Sequence, residues 1–388
     1  MKKYPMPHTS TEHSVPNPPK SKRLLSIDAL RGFDMFWILG AEGIFAALFV
    51  ITGFSFFNDA AAQMLHSKWH GFTLYDLIFP LFIFLSGVSL GIAAKPIAPL
   101  PLEQRKAKYQ HAIKRLVLLF GLGIVYNHGW GTGIPADFGE VRYVSVLGRI
   151  GLAWFVAAML VWHCSLATQI KATVGLLASY SLILLFASVG DYGSGSFTQA
   201  YSINAWVDQA MLPGIRYQNL PVDPEGLLSN LGSIVNCLAG VFVGRLMMQQ
   251  KALPKVLLRN LIIIAVATLM LGWAFDLLIP VNKTLWTPSF VLVTCGWSVL
   301  FLALFYWLID MQNWQSWAKP FAIIGMNSII IYLGTALVNW SYLAQSLFGG
   351  VISAVPEHWQ SLLSIIAIVL LQWLLLAWMS RNKIFIKV

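Results

Sequence analysis

The chain has 388 residues, of which 57% are apolar and only 11% charged, a balance that excludes an ordinary soluble domain of this length. Its formal net charge of +10 could suit nucleic acid, but where the basic residues fall marks membrane topology instead, so no nucleic-acid partner is expected. Three cysteines, Cys164, Cys237 and Cys295, all lie in apolar runs and give no disulfide framework.

Residues 1–22 are polar and rich in Pro, Ser, Thr and Lys, which predicts a disordered cytoplasmic tail ahead of one membrane domain over 23–388. Ten apolar stretches follow, near 27–52, 73–94, 112–129, 143–163, 169–189, 226–247, 257–279, 288–309, 320–345 and 360–380. Each is long enough to cross a ~30 Å hydrocarbon core as a helix. The fold class is therefore all-α: a polytopic integral membrane protein in the lipid bilayer, with about ten transmembrane helices. The first stretch lacks the small-residue cleavage site of a signal peptide and is read as retained. An even number of spans puts both termini on one side. With the termini cytoplasmic, that side collects nearly all Lys and Arg, leaving Lys68, Arg142, Arg216 and Lys283 opposite and Arg31 and Arg149 within spans. The expected location is the cell inner membrane, multi-pass, with outer loops at about 53–72 and 190–225.

Charges inside spans cost free energy and mark candidate sites. The first span holds Asp28, Arg31, Asp34 and Glu42, which at 100° per residue share one face about 120° wide. An ion-pair ladder accounts for the first three as well as a site does; Glu42 has no basic neighbour in its own helix and calls for a cross-helix or functional partner. His66 opens the stretch His66-Ser-Lys-Trp-His-Gly-Phe-Thr-Leu-Tyr-Asp-Leu-Ile-Phe-Pro80, which joins a polar loop directly to the second span. Imidazole, with an unperturbed pKa near ~6.5, suits proton abstraction at neutral pH. Trp69 offers either an interfacial anchor or a sugar-stacking surface. Asp76 is singled out by the cost of burying it, as part of a site or as a partner for Arg149 or Arg31. Arg149 lies too deep to reach water and needs a partner acid or an anionic ligand.

Two further motifs stay open. Asp223-Pro224-Glu225-Gly226 reads as a helix start, with Asp223 as N-cap and Pro224 at the first position, or as carboxylates that hold a cationic amine. Asn327 and Ser328 either bond neighbouring helices or donate to a ligand carbonyl. No HExxH, CxxC, GxxxxGKS or GxGxxG pattern is present, so neither a metal site nor a nucleotide fold is expected.

Five segments together resemble the heparan-α-glucosaminide N-acetyltransferase family and its bacterial relatives over residues 23–388: Arg23 to Gly32, His66 to Pro80, Asp223-Pro-Glu-Gly-Leu, Pro280-Val-Asn-Lys-Thr-Leu-Trp286 and Gly325-Met-Asn-Ser-Ile. The resemblance implies a transmembrane acetyltransferase that takes acetyl from cytoplasmic acetyl-CoA to the amine of an amino sugar at the opposite face. It places the catalytic histidine at His66, as general base or acetyl acceptor, with Asp76 and Glu42 beside it. Arg31, Arg115, Arg149, Asn327 and Ser328 become the residues expected to hold acetyl-CoA, by its phosphates or its carbonyl oxygen. Trp69, Glu42, Asp223 and Glu225 become the acceptor residues. The family's lysosomal members carry a luminal domain ahead of the membrane region and an asparagine where this chain has Glu42. Glucosamine or a short chitin-derived unit is accordingly the expected acceptor. A homodimer is expected by family analogy alone. The competing readings are an amino-sugar permease lined by the acidic stripe and an O-acyltransferase of an envelope glycan.

Overall fold

Nearly every apolar stretch becomes a helix in the computed structural model, which describes residues 24–93, 95–129, 131 and 137–386; the tail expected over 1–22 lies outside the described residues. In order the helices are α1 (Leu25–Ile38), α2 (Ile44–Thr52), α3 (Ser55–Gln63), α4 (Ile78–Ala93), α5 (Leu102–His128), α6 (Val146–His163), α7 (Leu166–Phe186), α8 (Ile203–Met211), α9 (Asn230–Gln249), α10 (Pro254–Asp276), α11 (Pro288–Phe305), α12 (Ala318–Met326), α13 (Ser328–Leu337), α14 (Trp340–Ser353) and α15 (Glu357–Arg381). A short antiparallel hairpin, β1 (Ser188–Val189) with β2 (Tyr192–Gly193), follows α7. Among the described residues, 7 helices are long and apolar enough to cross a membrane, or up to 9 if each of 2 bent pairs is one span. The all-helical membrane architecture is thus as expected. The stretch near 112–129 lies in α5, which begins already at Leu102, carries Lys114 and Arg115, and is not among those helices.

Two expected spans are broken, and both breaks move candidate residues. The first bends by 69° between α1 and Ala41–Thr52. At the bend Gly40 has φ 110°, a conformation that glycine adopts without steric cost. Glu42 therefore sits on a separate 3-10 turn, Ala41–Gly43, and does not continue the stripe of Asp28, Arg31 and Asp34. The stretch 320–345 bends by 73° between α12 and α13, and Asn327 occupies the break. Helix α9 starts at Asn230, so Asp223 is not its N-cap and the segment from Pro224 to Ser229 forms turns. Pro80 lies in the first turn of α4, where a missing N–H costs little.

Helix α4 is fixed by backbone contact with α9. A Cβ on Gly87, Gly91, Gly240 or Gly244 would lie 1.9, 2.2, 2.0 or 2.3 Å from a carbonyl oxygen of the opposing helix. Lipid gives helices no hydrophobic reason to associate, so such close packing supplies the attraction. Gly32 and Gly325 bring α1 and α12 together in the same way. At the head of α4 the connecting loops are stitched into one layer. Gly71 N–H donates to Val281 O at 2.8 Å, Asn282 Nδ2 to Trp69 O at 2.8 Å, and Trp69 Nε1 to Phe197 O at 2.8 Å.

The α4–α9 contact gives a direct stability test. Gly240→Val is expected to cost about 1–3 kcal/mol by overpacking, read as a lower Tm in detergent. Gly121→Ala, whose Cβ would meet nothing within 4 Å, should leave Tm unchanged or raise it.

Candidate functional site

The head of α4 holds a carboxylate with no solvent contact. Asp76 closes a capping box with Thr73, whose N–H donates to Asp76 Oδ2 at 3.2 Å. Ser67 N–H reaches the same oxygen at 3.2 Å, and the Thr73 hydroxyl lies 3.1 Å from it. Asp76 Oδ1 faces His66 Nδ1 at 2.8 Å. An ionised carboxylate only accepts, so Nδ1 carries a proton, and in the neutral ring the lone pair is on Nε2. The His66 side chain is 53% exposed whereas that of Asp76 is 0% exposed, so the ring meets solvent and the carboxylate that orients it does not. The Tyr75 ring packs against the imidazole with centroids 4.7 Å apart.

Lys283, from the loop between α10 and α11, completes the cluster. Its Nζ is 3.4 Å from Asp76 Oδ1, 2.9 Å from His66 Nδ1 and 3.1 Å from Nε2. A nitrogen this close to both ring nitrogens lies on neither in-plane lone pair; it sits over the ring. Burial lowers the pKa of Lys283 from the usual lysine value, and Asp76 and Glu225 oppose that shift without cancelling it. The expectation that Asp76 pairs with Arg149 or Arg31 is replaced by this His66 and Lys283 pairing.

Two cavities are lined by chain neighbours of this cluster. The larger, about 640 Å3, falls within the ~300–1,000 Å3 of small-molecule sites. Arg31, His111, Arg115 and Lys251 line it, as do Ile78 and Phe79 in the turn directly after Asp76. The smaller, about 320 Å3, is lined by Lys68, Trp69, His70, Thr198, Gln199, Tyr217 and Thr284.

The remaining candidates divide clearly. Arg31 donates to Asp28 at 3.3 Å and to Ser89 at 3.2 Å on the wall of the large cavity. The Arg115 guanidinium lies 4.2 Å over the Trp154 ring, and its Nε is buried without a hydrogen-bond partner among the described residues. Arg149 is buried between Trp286, at 4.7 Å, and Phe79, at 5.9 Å. It donates to Gly226 O and to the Ser229 hydroxyl, leaving Nε and Nη1 without hydrogen-bond partners among the described residues. Ser328 lines the large cavity, whereas Asn327 is committed to the C-terminal segment: Nδ2 donates to Ile384 O at 3.0 Å and Oδ1 accepts from Ile386 N at 3.2 Å. Glu42 has a buried Oε2 without a hydrogen-bond partner among the described residues and lies within electrostatic reach of Tyr75, outside both cavity linings.

Asp223 and Glu225 are both engaged by Arg142. Arg142 Nε and Nη2 donate to Asp223 at 2.9 and 2.5 Å, and Nη2 also donates to Glu225. Asp223 Oδ2 accepts from Tyr217 N at 2.8 Å, so this clamp holds Tyr217 and Pro224 on the wall of the smaller cavity. Asp208 of α8 braces it, accepting from the N–H groups of Asp223 and Leu227, both at 3.0 Å. Burial outweighs those bonds and pushes the Asp208 carboxyl up to about 6. Sequence reading missed Lys283, Arg142 and Asp208. The signals were present: Lys283 lies inside the Pro280 to Trp286 motif, and an isolated Arg142 faces two acids in a loop motif.

No family model matches the chain. It is similar to heparan-alpha-glucosaminide N-acetyltransferase of Homo sapiens, 26% identical over 370 residues that cover 80% of this chain and 52% of the relative. The protein of the same name from Mus musculus is 26% identical over 325 residues, covering 69% of this chain and 48% of the relative. The chain spans about half the length of the curated relatives it matches, and the similarity supports a distant family relationship.

The clamp has a pH signature. Burial alone would raise Asp223, but Arg142 and the N–H groups of Glu225 and Tyr217 outweigh it and hold the carboxyl below its usual 3.8. A depressed carboxyl contributes stability that is full above its unfolded pKa and is lost as pH falls through the folded one. Asp223→Asn, which leaves Arg142 with Glu225 as its one charged partner in the clamp, should therefore cost about 1–3 kcal/mol at pH 7 and flatten the acid decline of Tm below roughly pH 4. Equal Tm for variant and wild type at neutral pH would refute the clamp.

Proposed function

We propose that the chain is a transmembrane N-acetyltransferase that moves acetyl from acetyl-CoA to the amine of glucosamine or a related amino sugar. The observation that carries this reading is a histidine oriented by a buried carboxylate, whose chain neighbours line two cavities of different character. One cavity has basic residues and apolar walls; the other is small, polar and aromatic. The relatives' names support acetyl transfer to an amino sugar as the reaction class.

Arg31 and Arg115, with His111 and Lys251, suit the phosphates of coenzyme A, and the apolar wall that ends at Ile78 and Phe79 suits its pantetheine arm. This delivers the thioester to the turn beside Asp76. The amino sugar enters the smaller cavity, where Trp69 and Tyr217 offer aromatic faces and Thr198, Gln199 and Thr284 offer hydrogen bonds. As the amine nitrogen attacks the thioester carbon, His66 Nε2 accepts its proton, and Asp76 stabilises the imidazolium that forms. The carbon–sulfur bond then breaks, and coenzyme A leaves as a thiol carrying that proton. The unpartnered N–H groups of Arg149, beside the cavity wall residue Phe79, are donors for the acyl oxygen. By the distribution of Lys and Arg, the basic cavity opens to the cytoplasm and the smaller one to the far side of the inner membrane.

Purified protein in detergent, given acetyl-labelled acetyl-CoA and glucosamine, should release labelled N-acetylglucosamine. His66→Ala should lower the rate by about 10²–10⁴-fold, Asp76→Asn should lower it strongly with Tm tracked in parallel, and Arg115→Ala should raise KM for acetyl-CoA. If wild type transfers no label, or His66→Ala transfers as much as wild type, the proposal fails.

A further inference from the structure

We propose that Lys283 is a further catalytic residue, whose ammonium, held against Asp76 and over the His66 ring, stabilises the negative charge that grows on the acyl oxygen during attack. The inference rests on the acetyl-transfer reading above and deepens it.

Three observations carry it. The first is rigidity at the root of the side chain. The neighbouring Asn282 is buried; its Oδ1 accepts from Leu285 N at 2.8 Å, its Nδ2 donates to Trp69 O at 2.8 Å, and its N–H donates to Thr287 Oγ1 at 3.0 Å. The second is position. Nζ lies 3.1 Å from Nε2, the atom that receives the substrate proton. An amine that hands its proton to Nε2 must come within ~2.6–3.2 Å of it, and the acyl oxygen is two bonds from that amine nitrogen in the tetrahedral intermediate. Nζ and the oxygen are thus brought to the same small space. The third is electrostatic setting: the Lys283 side chain is 20% exposed, so its charge is only partly screened, and its carboxylate neighbour Asp76 is 0% exposed.

The groups that face Lys283 are Asp76 and His66 at the head of α4 and, at longer range, Glu225 from the segment before α9. Asp76 and Glu225 oppose the effect of burial and favour the ammonium form that the proposed role uses. The step balances without another reactant. The amine proton goes to His66, the new carbon–nitrogen bond pushes the carbonyl electrons onto oxygen, and Lys283 holds that charge while keeping its own protons. The carbonyl then reforms, the carbon–sulfur bond breaks, and the proton on His66 goes to sulfur. A purely structural lysine, present only to neutralise Asp76, would act on folding and, through Asp76, on the acid limb set by His66; the alkaline limb and its loss in Lys283→Arg are what distinguish the proposed role.

The test uses full-length wild type, Lys283→Gln and Lys283→Arg in detergent, with labelled transfer from acetyl-CoA to glucosamine followed from pH 6 to 9.5 after subtracting uncatalysed transfer. Lys283→Gln is expected to lower kcat by about 10²–10³-fold, the loss seen when one oxyanion donor is removed, with either KM changed only a few-fold. Burial lowers Lys283 from the ordinary lysine value of 10.5, so the wild-type rate should decline as alkaline pH removes the ammonium. Lys283→Arg, always cationic, should recover part of kcat and lose that alkaline decline. Wild-type kcat in Lys283→Gln, or an unchanged alkaline decline in Lys283→Arg, overturns the proposal. If Lys283→Gln does not fold, the Lys283→Arg profile alone decides. Absence of transfer by wild type defeats the underlying reading, whereas normal wild-type transfer with an unaffected Lys283→Gln defeats only this inference.

Discussion

A carboxylate without solvent at the mouth of a membrane helix must be answered by donors, and Asp76 is answered from two separate loops. Thr73 and Ser67 supply N–H groups, His66 a ring N–H and Lys283 an ammonium. Removing one partner of a buried ion pair typically costs ~3–5 kcal/mol because the remaining charge is stranded. The loop before α4 and the loop before α11 are therefore bound to one point. Everything built on that point, the ring orientation of His66 and the seat of Lys283, inherits its precision from α4, which the α4–α9 glycine contact holds against the bundle.

That anchoring gives the site two approaches. The apolar and basic cavity is lined by Ile78 and Phe79, just past Asp76, and the small polar pocket by Lys68 and Trp69, just past His66. Under the proposed reaction, such a division would separate a large anionic donor from a small polar acceptor. The Arg142 clamp stands at the smaller cavity. It engages Asp223 and Glu225 in holding Tyr217 and Pro224 in place, so these acids shape the pocket wall.

Composition and apolar length made the helical membrane fold legible, because both are properties of the chain summed over many residues. His66 and Asp76 were each visible, one by its place beside a helix and the other by the cost of burial. Their pairing was not, since it spans a turn with no helical period. Lys283 looked like a stray outer charge because its partner His66 lies 217 positions away, a separation that no local pattern encodes. The stripe of four charges failed at Glu42 because one glycine, Gly40, broke the helix on which the face was drawn. Asn327 was read as a ligand donor or a helix-packing residue; its amide is instead consumed by the backbone at Ile384 and Ile386, a contact between distant parts of the chain. Non-local partners, not local propensity, account for each of these differences.

The central claim is that acetyl crosses the membrane through the His66 cluster while its donor stays on the basic side. Sealed proteoliposomes of one orientation, with acetyl-labelled acetyl-CoA on the side of Lys251 and glucosamine confined to the side of His66, test it most directly. The account predicts labelled N-acetylglucosamine on the glucosamine side with wild type and none above background with His66→Ala. Product formed only when donor and acceptor share one compartment would contradict it.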